Sequence, residues 1–249
     1  ADTIFDNLVK LTARLCGVSV QMEKLPADEV HVLKLVMGVG HFLFMDIVGF
    51  SLELTDRQAV LIDRLQAIVR GTKTYSAAAK DGRVVALPTG DGMVLVFLSP
   101  VPAPIECAVE VAAMISDDSL GIRLRMGVHQ GAVFHTEDIN DAANVVGHGI
   151  NTAQRVMDCG DAGHILVSQE AAAELMRLST WTRDLYGLGE FTVKHGVTLT
   201  LYNFHRSDVG NPETPISLTP GPVAPLTLRI EHRADGASLT VALIQQNGG

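Results

Sequence analysis

The chain is poor in cysteine and in positive charge, and each shortage narrows what it can be. Its three cysteines, Cys16, Cys107 and Cys159, stand far apart with no metal-ligand spacing. That excludes a disulfide-stapled scaffold or a zinc module and predicts reduced, buried thiols in a cytosolic protein. Lys and Arg total 19 against 28 Asp and Glu, a net charge of −9, and no basic run occurs. A face that grips a nucleic-acid backbone needs clustered cations, so no nucleic-acid partner is expected. The longest apolar stretch, residues 32–50, is interrupted by Lys34, His41 and Asp46, which argues against a membrane span. No charged-then-apolar leader opens the chain, so cytoplasmic localisation is the expectation.

What the chain does have is 47% apolar content over 249 residues, enough for one substantial core with extensions. Residues 4–17 carry apolar side chains at helical spacing and stop at Gly17, predicting an amphipathic helix within an N-terminal extension over residues 1–39. From there the pattern becomes regular. A strand is expected at 42–47, then a long helix at about 52–79 with Ser51 as N-cap, and strands at 83–87 and 93–98 around the turn Thr89-Gly90-Asp91-Gly92. A helix at 105–115 follows, then a strand at 123–128 that residues 132–135 extend or pair with, and a polar loop at 136–144. The remainder reads as a helix at 149–157, a strand at 164–167, a short helix at 171–176 and a hairpin from 191–193 and 198–204. This order predicts an α+β fold, a βαββαβ core with an additional αββ and helices on one face of the sheet. Residues 209–225, rich in proline and glycine, read as a linker closing a domain of residues 40–208. Residues 226–249 alternate about Ala234-Asp235-Gly236 as a C-terminal β-hairpin.

Two carboxylates stand out. Asp46 in HFLFMDIVGFS (residues 41–51) and Asp91 in LPTGDGMVLVF (residues 87–97) each sit where an apolar, β-type run breaks into glycine. Singly, each has a local use, Asp46 as a helix cap and Gly90-Asp91-Gly92 as a hairpin turn. Together they are candidates for the tips of adjacent strands, where paired carboxylates beside glycine-rich backbone suit Mg²⁺ and a polyphosphate. Asp46 ends so apolar a strand that its charge needs a strong partner. In GHGINTAQRVMDCG (residues 147–160), Asn151 and Arg155 fall on one helix face. An amide and a guanidinium presented together can steer a ribose oxygen and stabilise charge on a phosphate, or can simply face water. Lys194 is a further phosphate cation or a solvated hairpin residue. His129 and His135 read as structural, and no His/Cys spacing near His148 or His195 supports zinc.

The strings FMDIVGFS, LPTGDGMVLVF, RMGVHQG, GINTAQRVMDCGDAGHILVS and LGEFTVKHG follow one another over residues 40–206. In that order they resemble the successive signatures of the class III nucleotidyl cyclase catalytic domain, adenylate/guanylate type. The resemblance implies a ferredoxin-like core and a head-to-tail homodimer whose active sites are shared. It implies conversion of a nucleoside triphosphate to the 3′,5′-cyclic monophosphate and pyrophosphate. Asp46 and Asp91, with Ile47 in the same metal site, would hold two Mg²⁺ or Mn²⁺ ions. The backbone of Val48, Gly49, Phe50 and Ser51 would cradle the phosphates. From the opposite subunit, Asn151 would orient the ribose and Arg155 would stabilise the pentavalent transition state, while Lys194 would contact the triphosphate.

Base choice stays open, because the positions that select a purine in the family hold Leu87 and Asn144 here. Leu87 cannot hydrogen-bond a base, and Asn144 can both donate and accept. ATP is the first expectation. A pyrimidine substrate, UTP or CTP, is the alternative, as in anti-phage cyclases that also abandon the purine-selecting pair. A non-catalytic nucleotide sensor is the alternative of another class, and the intact set Asp46, Asp91, Asn151 and Arg155 weighs against it, since binding alone needs no transition-state groups. A diguanylate-cyclase-like or polymerase-palm enzyme is disfavoured because the Thr89–Gly92 turn carries one acid, not two.

Overall fold

The computed structural model describes residues 36–98, 102–137, 143–193, 196–218, 227–232 and 239–244. The helix expected at 4–17 lies outside the described residues, as do Lys194 and His195.

The fold is organised around its first strand. β1 (Val36–Ile47) is twelve residues long and pairs antiparallel with both β3 (Gly92–Phe97) and β4 (Leu124–Glu137). β2 (Val84–Pro88) closes a hairpin onto β3. Past β4 lie β6 (Ile165–Ser168), β8 (Val197–Phe204) and β7 (Leu185–Val193), giving the order β2-β3-β1-β4-β6-β8-β7, with β5 (Ala143–Val146) paired to the end of β4. The arrangement β2-β3-β1-β4 is the ferredoxin-like core, and β6, β7 and β8 extend it. The α+β expectation therefore holds.

Over residues 42–47 the strand β1 has no in-out alternation, and both of its faces are buried there, as such a run demands. Leu43, Met45 and Ile47 pack with Leu61, Leu65 and Ile68 of α1 (Thr55–Gly71) and with Ile105, Ala108 and Val111 of α3 (Pro102–Ser116). Phe42 and Phe44 pack on the opposite face with Val94, Val96 and Val133, beneath Ala153 and Met157 of α4 (His148–Asp158). Helices thus lie on both faces, which corrects the one-face expectation. The contact with α4 is close because of glycine: a Cβ on Gly127 would sit 2.5 Å from the main-chain nitrogen of Met157, and one on Gly149 would sit 2.6 Å from Phe42.

Other boundaries also differ. The long helix expected at 52–79 is two, α1 and α2 (Lys73–Lys80), broken at Thr72, whose extended backbone lets its Oγ1 cap α2 by accepting from the Tyr75 N–H at 3.3 Å. Ser51 is not a cap; it sits in a 3₁₀ turn, Phe50–Leu52, ahead of α1. β4 is one continuous strand, and β5 takes up the end of the expected polar loop. α5 (Gln169–Leu175) and α6 (Ser179–Thr182) link β6 to β7.

The Pro/Gly-rich segment expected as a linker is, over residues 209–218, a strap against the domain. Val209 and Leu218 are buried, and Asn211, Ile216 and Ser217 are hydrogen-bonded to the segment between α4 and β6. The expected C-terminal hairpin is present as β9 (Thr227–His232) paired with β10 (Leu239–Ile244).

Candidate active site

Asp46 and Asp91 are brought together by one glycine. Gly92 pairs opposite Asp46, and a Cβ there would fall 2.0 Å from the Met45 carbonyl oxygen and 2.9 Å from Asp46 Cα. Only a residue without a side chain lets the β2–β3 turn close this tightly on the end of β1. The Ile47 N–H then donates to the Asp91 carbonyl at 3.1 Å, and the Val48 N–H to the Arg123 carbonyl at 2.8 Å.

The result is a cleft of about 330 Å³ lined by Asp46, Ile47, Val48, Gly49, Phe50, Ser51, Asp91, Arg125, Gly160 and Asp161. Asp91 is exposed at its mouth and Asp46 is buried at its base, only 6% exposed. The strong partner that Asp46 requires is Arg125, the residue opposite it on β4. The Arg125 Nε and Nη2 groups donate to Asp46 Oδ2 at 3.0 and 2.7 Å, and Nη2 also lies 3.3 Å from Asp158 Oδ1 at the end of α4. Burial nevertheless holds the Asp46 carboxyl above the usual carboxylate range; the Arg125 hydrogen bond opposes this and the nearby Asp91 charge adds to it.

Asp46 Oδ1 is buried with no hydrogen-bond partner. A buried, unpartnered carboxylate oxygen facing a second carboxylate is poorly solvated as it stands, and a divalent cation would satisfy it. Among the described residues no group of three or more His, Cys, Asp or Glu side chains could by itself hold a metal ion. Two carboxylates, leaving positions for water and phosphate oxygens, suit Mg²⁺ rather than zinc. The Ile47 side chain is buried in the core, so only its main chain can serve a metal. The residues present fit the ions.

The turn after β1 is set by Gly49, whose φ of 82° favours glycine, and a Cβ there would sit 3.9 Å from Arg123 Nη2. Val48 lines the cleft with Gly49, Phe50 and Ser51, and its N–H is already given to the Arg123 carbonyl.

Asn151 and Arg155 are on α4 as expected, yet neither lines this cleft. Asn151 is exposed, and Arg155 carries a buried Nη1 with no hydrogen-bond partner among the described residues. Leu87 is half-buried on β2, packed against the buried cluster that includes Phe42, Phe44, Val94 and Val96. Asn144 is in β5, its main chain opposite Thr136, and β2 and β5 are in contact. Arg125, Gly160 and Asp161 are the cleft residues that sequence reasoning missed. Arg125 opens the string RMGVHQG, but its pairing with Asp46 is a matter of register between distant strands.

Residues 40–206 match the adenylate and guanylate cyclase catalytic domain family. The chain belongs to that family and is a nucleotidyl cyclase catalytic domain of adenylate/guanylate type. No curated protein sequence matches it. Among solved structures it is similar to the guanylate cyclase domain of RhGC from Catenaria anguillulae in complex with GTP, at 22% identity and a TM-score of 0.55, covering 70% of this chain and 97% of that one. It is also similar to the adenylyl cyclase CyaB from P. aeruginosa, at 19% identity and a TM-score of 0.54, covering 70% and 100%. A third is a non-canonical dimeric guanylyl cyclase domain of the RhoGC fusion protein from the aquatic fungus Blastocladiella emersonii, at 22% identity and a TM-score of 0.53, covering 68% and 97%. Among the described residues, no helix is long and apolar enough to cross a membrane.

Proposed function

We propose that this domain converts a nucleoside triphosphate, ATP as the first candidate, to its 3′,5′-cyclic monophosphate and pyrophosphate in a homodimer whose two copies share each active site. The observation that carries the reading is the unpartnered Asp46 Oδ1 beside Asp91 in a cleft that Asn151 and Arg155 of the same chain do not line.

Asp46, Asp91 and the Ile47 main chain would hold two Mg²⁺ or Mn²⁺ ions, which when bound supply Lewis-acid activation of the ribose 3′-hydroxyl and neutralise the triphosphate. The chain's own residues do the rest. Gly49, Phe50 and Ser51 receive phosphate oxygens along the turn, and Arg125 places a guanidinium inside the cleft. Asn151 and Arg155 of the second copy complete the site, Asn151 on the ribose and Arg155 on the charge that builds at the α-phosphate. Arg155 Nη1 is buried with no hydrogen-bond partner among the described residues. Lys194 is assigned to the triphosphate by its place in LGEFTVKHG. Leu87 and Asn144, on touching elements, are assigned to the base, and an apolar wall with one amide admits UTP or CTP as alternative substrates.

The test is incubation of the purified protein with ATP, GTP, CTP and UTP in turn, with Mn²⁺, and identification of products by mass spectrometry. A single cyclic nucleotide names the base. No product from any of the four overturns the catalytic reading in favour of a nucleotide-binding domain.

A further inference from the structure

The strap of residues 209–218 lies wholly beyond the family-matched residues 40–206, yet it is bound to a wall of the cleft. That wall belongs to residues 159–164, between α4 and β6, and its Gly160 and Asp161 line the cleft. The Ile216 N–H donates to Asp161 Oδ2 at 2.7 Å, and Ser217 Oγ donates to the Cys159 carbonyl at 2.7 Å. Asn211 Nδ2 donates to the Ala162 carbonyl at 3.1 Å, while the Asn211 carbonyl accepts from Asn203 Nδ2 at 2.8 Å. His164 joins the two segments: its Nδ1 accepts from the Asp161 N–H at 2.9 Å, so its Nε2 carries the proton and donates to the Glu213 carbonyl at 2.8 Å. Leu218 anchors the end of the strap by packing with Val156 and Cys159 of the α4 end.

These contacts are not spread evenly over the domain. They converge on the one connection that both carries a cleft wall and follows the helix bearing Asn151 and Arg155. Cys159 Sγ lies 3.2 Å from the Arg155 carbonyl, and Asp158 meets Arg125, so the pinned segment continues directly into the groups around Asp46. A connection of this kind, left to itself, would sample several conformations, and tying it down lowers the cost of forming the bound state.

We infer that Ile216, through its N–H, and Ser217, through its hydroxyl, are positioning residues that hold the Gly160–Asp161 wall in the geometry that admits the metal-bound triphosphate. The inference rests on the nucleotide-binding part of the proposed function.

Ile216→Pro removes the N–H that Asp161 accepts at the first position of a 3₁₀ turn, where proline is tolerated. Ser217→Ala removes the second bond with little disturbance. Ile216→Ala keeps the N–H and loses only a side chain that is 79% exposed, so it is the control. The readouts are Mn²⁺ affinity by electron paramagnetic resonance and, with the nucleotide that turns over, KM and kcat separately. Ile216→Pro and Ser217→Ala are each expected to weaken Mn²⁺ or nucleotide binding about three- to tenfold, the scale of one hydrogen bond, with kcat changed less. Ile216→Ala should match the wild type. Both bond-removing variants, folded by circular dichroism, showing wild-type Mn²⁺ affinity and KM would overturn the inference. If Ile216→Pro does not fold, Ser217→Ala decides. If the wild type turns over none of the four nucleotides, the catalytic reading falls, and unchanged Mn²⁺ affinity in the strap variants still rejects the positioning role.

Discussion

The cleft at the end of β1 and the helix α4, to which the proposed reaction assigns different halves of one chemistry, are built differently. Around Asp46 the chain's own residues converge: Arg125 grips the carboxylate, Gly92 admits the β2–β3 turn, and the wall of residues 159–164 closes one side. Along α4, Asn151 is exposed and Arg155 has a buried donor without a partner. A carboxylate cleft closed within one chain, and a helix whose Asn151 and Arg155 do not line it, are what the proposed shared site requires. The difference teaches that folding of a single copy builds the cleft around Asp46 but does not bring Asn151 and Arg155 into it.

The largest expected effect comes from breaking the cleft itself. Asp46→Ala and Asp91→Ala should each lower turnover by at least about 10³-fold, as loss of a member of an interdependent set does. Size-exclusion chromatography should show an unchanged oligomeric state.

Arg155→Ala comes next, at about 10²- to 10³-fold in kcat, the range for losing one preorganised donor to transition-state charge. Mixing Asp46→Ala chains with Arg155→Ala chains should recover activity that neither has alone, because one of the two sites in each mixed dimer is intact. Absence of any recovery would sink the shared-site reading and leave both halves of the comparison within one chain.

Gly92→Ala sharpens the comparison through stability. The added Cβ meets backbone at 2.0 Å, so the β3 start must move away from β1 at a cost of about 1–3 kcal/mol or more. Denaturant unfolding should show the loss, and Mn²⁺ affinity should fall with it as Asp91 leaves Asp46.

A pH effect separates the two regions again. His129, buried beneath α4, is stacked on Phe42 and hydrogen-bonded through Nδ1 to Ser168 Oγ at 2.8 Å. Burial lowers its pKa from 6.5 to about 4, with the nearby Glu170 charge opposing and His148 adding. The unfolded chain therefore binds this proton more readily than the folded one. The neutral ring's contribution to stability is full above the unfolded value of 6.5 and is lost as pH falls toward about 4. Denaturation midpoints measured at pH 7 and pH 5 should fall further in the wild type than in His129→Gln. The smallest effect is expected from Asn144→Ala, which should change the ratio of products among the four triphosphates more than the rate on the best one. An unchanged profile would count against its assignment to the base.

Much of this was legible in the sequence because it is local. The apolar run of β1 without alternation, the Gly90-Asp91-Gly92 turn and the helical spacing of Asn151 and Arg155 are short-range patterns, and the structure keeps each of them. The errors arose where a local pattern had two outcomes. Residues 52–79 read as one helix because Thr72 is compatible with helix as well as with a cap, and in the structure it is extended and caps α2. The proline and glycine content of residues 209–225 signals irregular backbone equally well for a free linker and for a strap.

The order of elements and the placing of Asp46 and Asp91 at neighbouring strand ends followed from the amino-acid sequence alone, because period and turn chemistry are properties of neighbouring residues, and motif order added the family resemblance that implied the ferredoxin-like core. What only the tertiary structure decided is which distant groups meet. The pairing of Arg125 with Asp46, the backbone approach at Gly92, the cover of α4 on the second sheet face and the strap on the cleft wall all depend on strand register and packing between segments far apart in the chain. No local pattern encodes them, since the free energy that selects them is gained only when those segments are buried against one another.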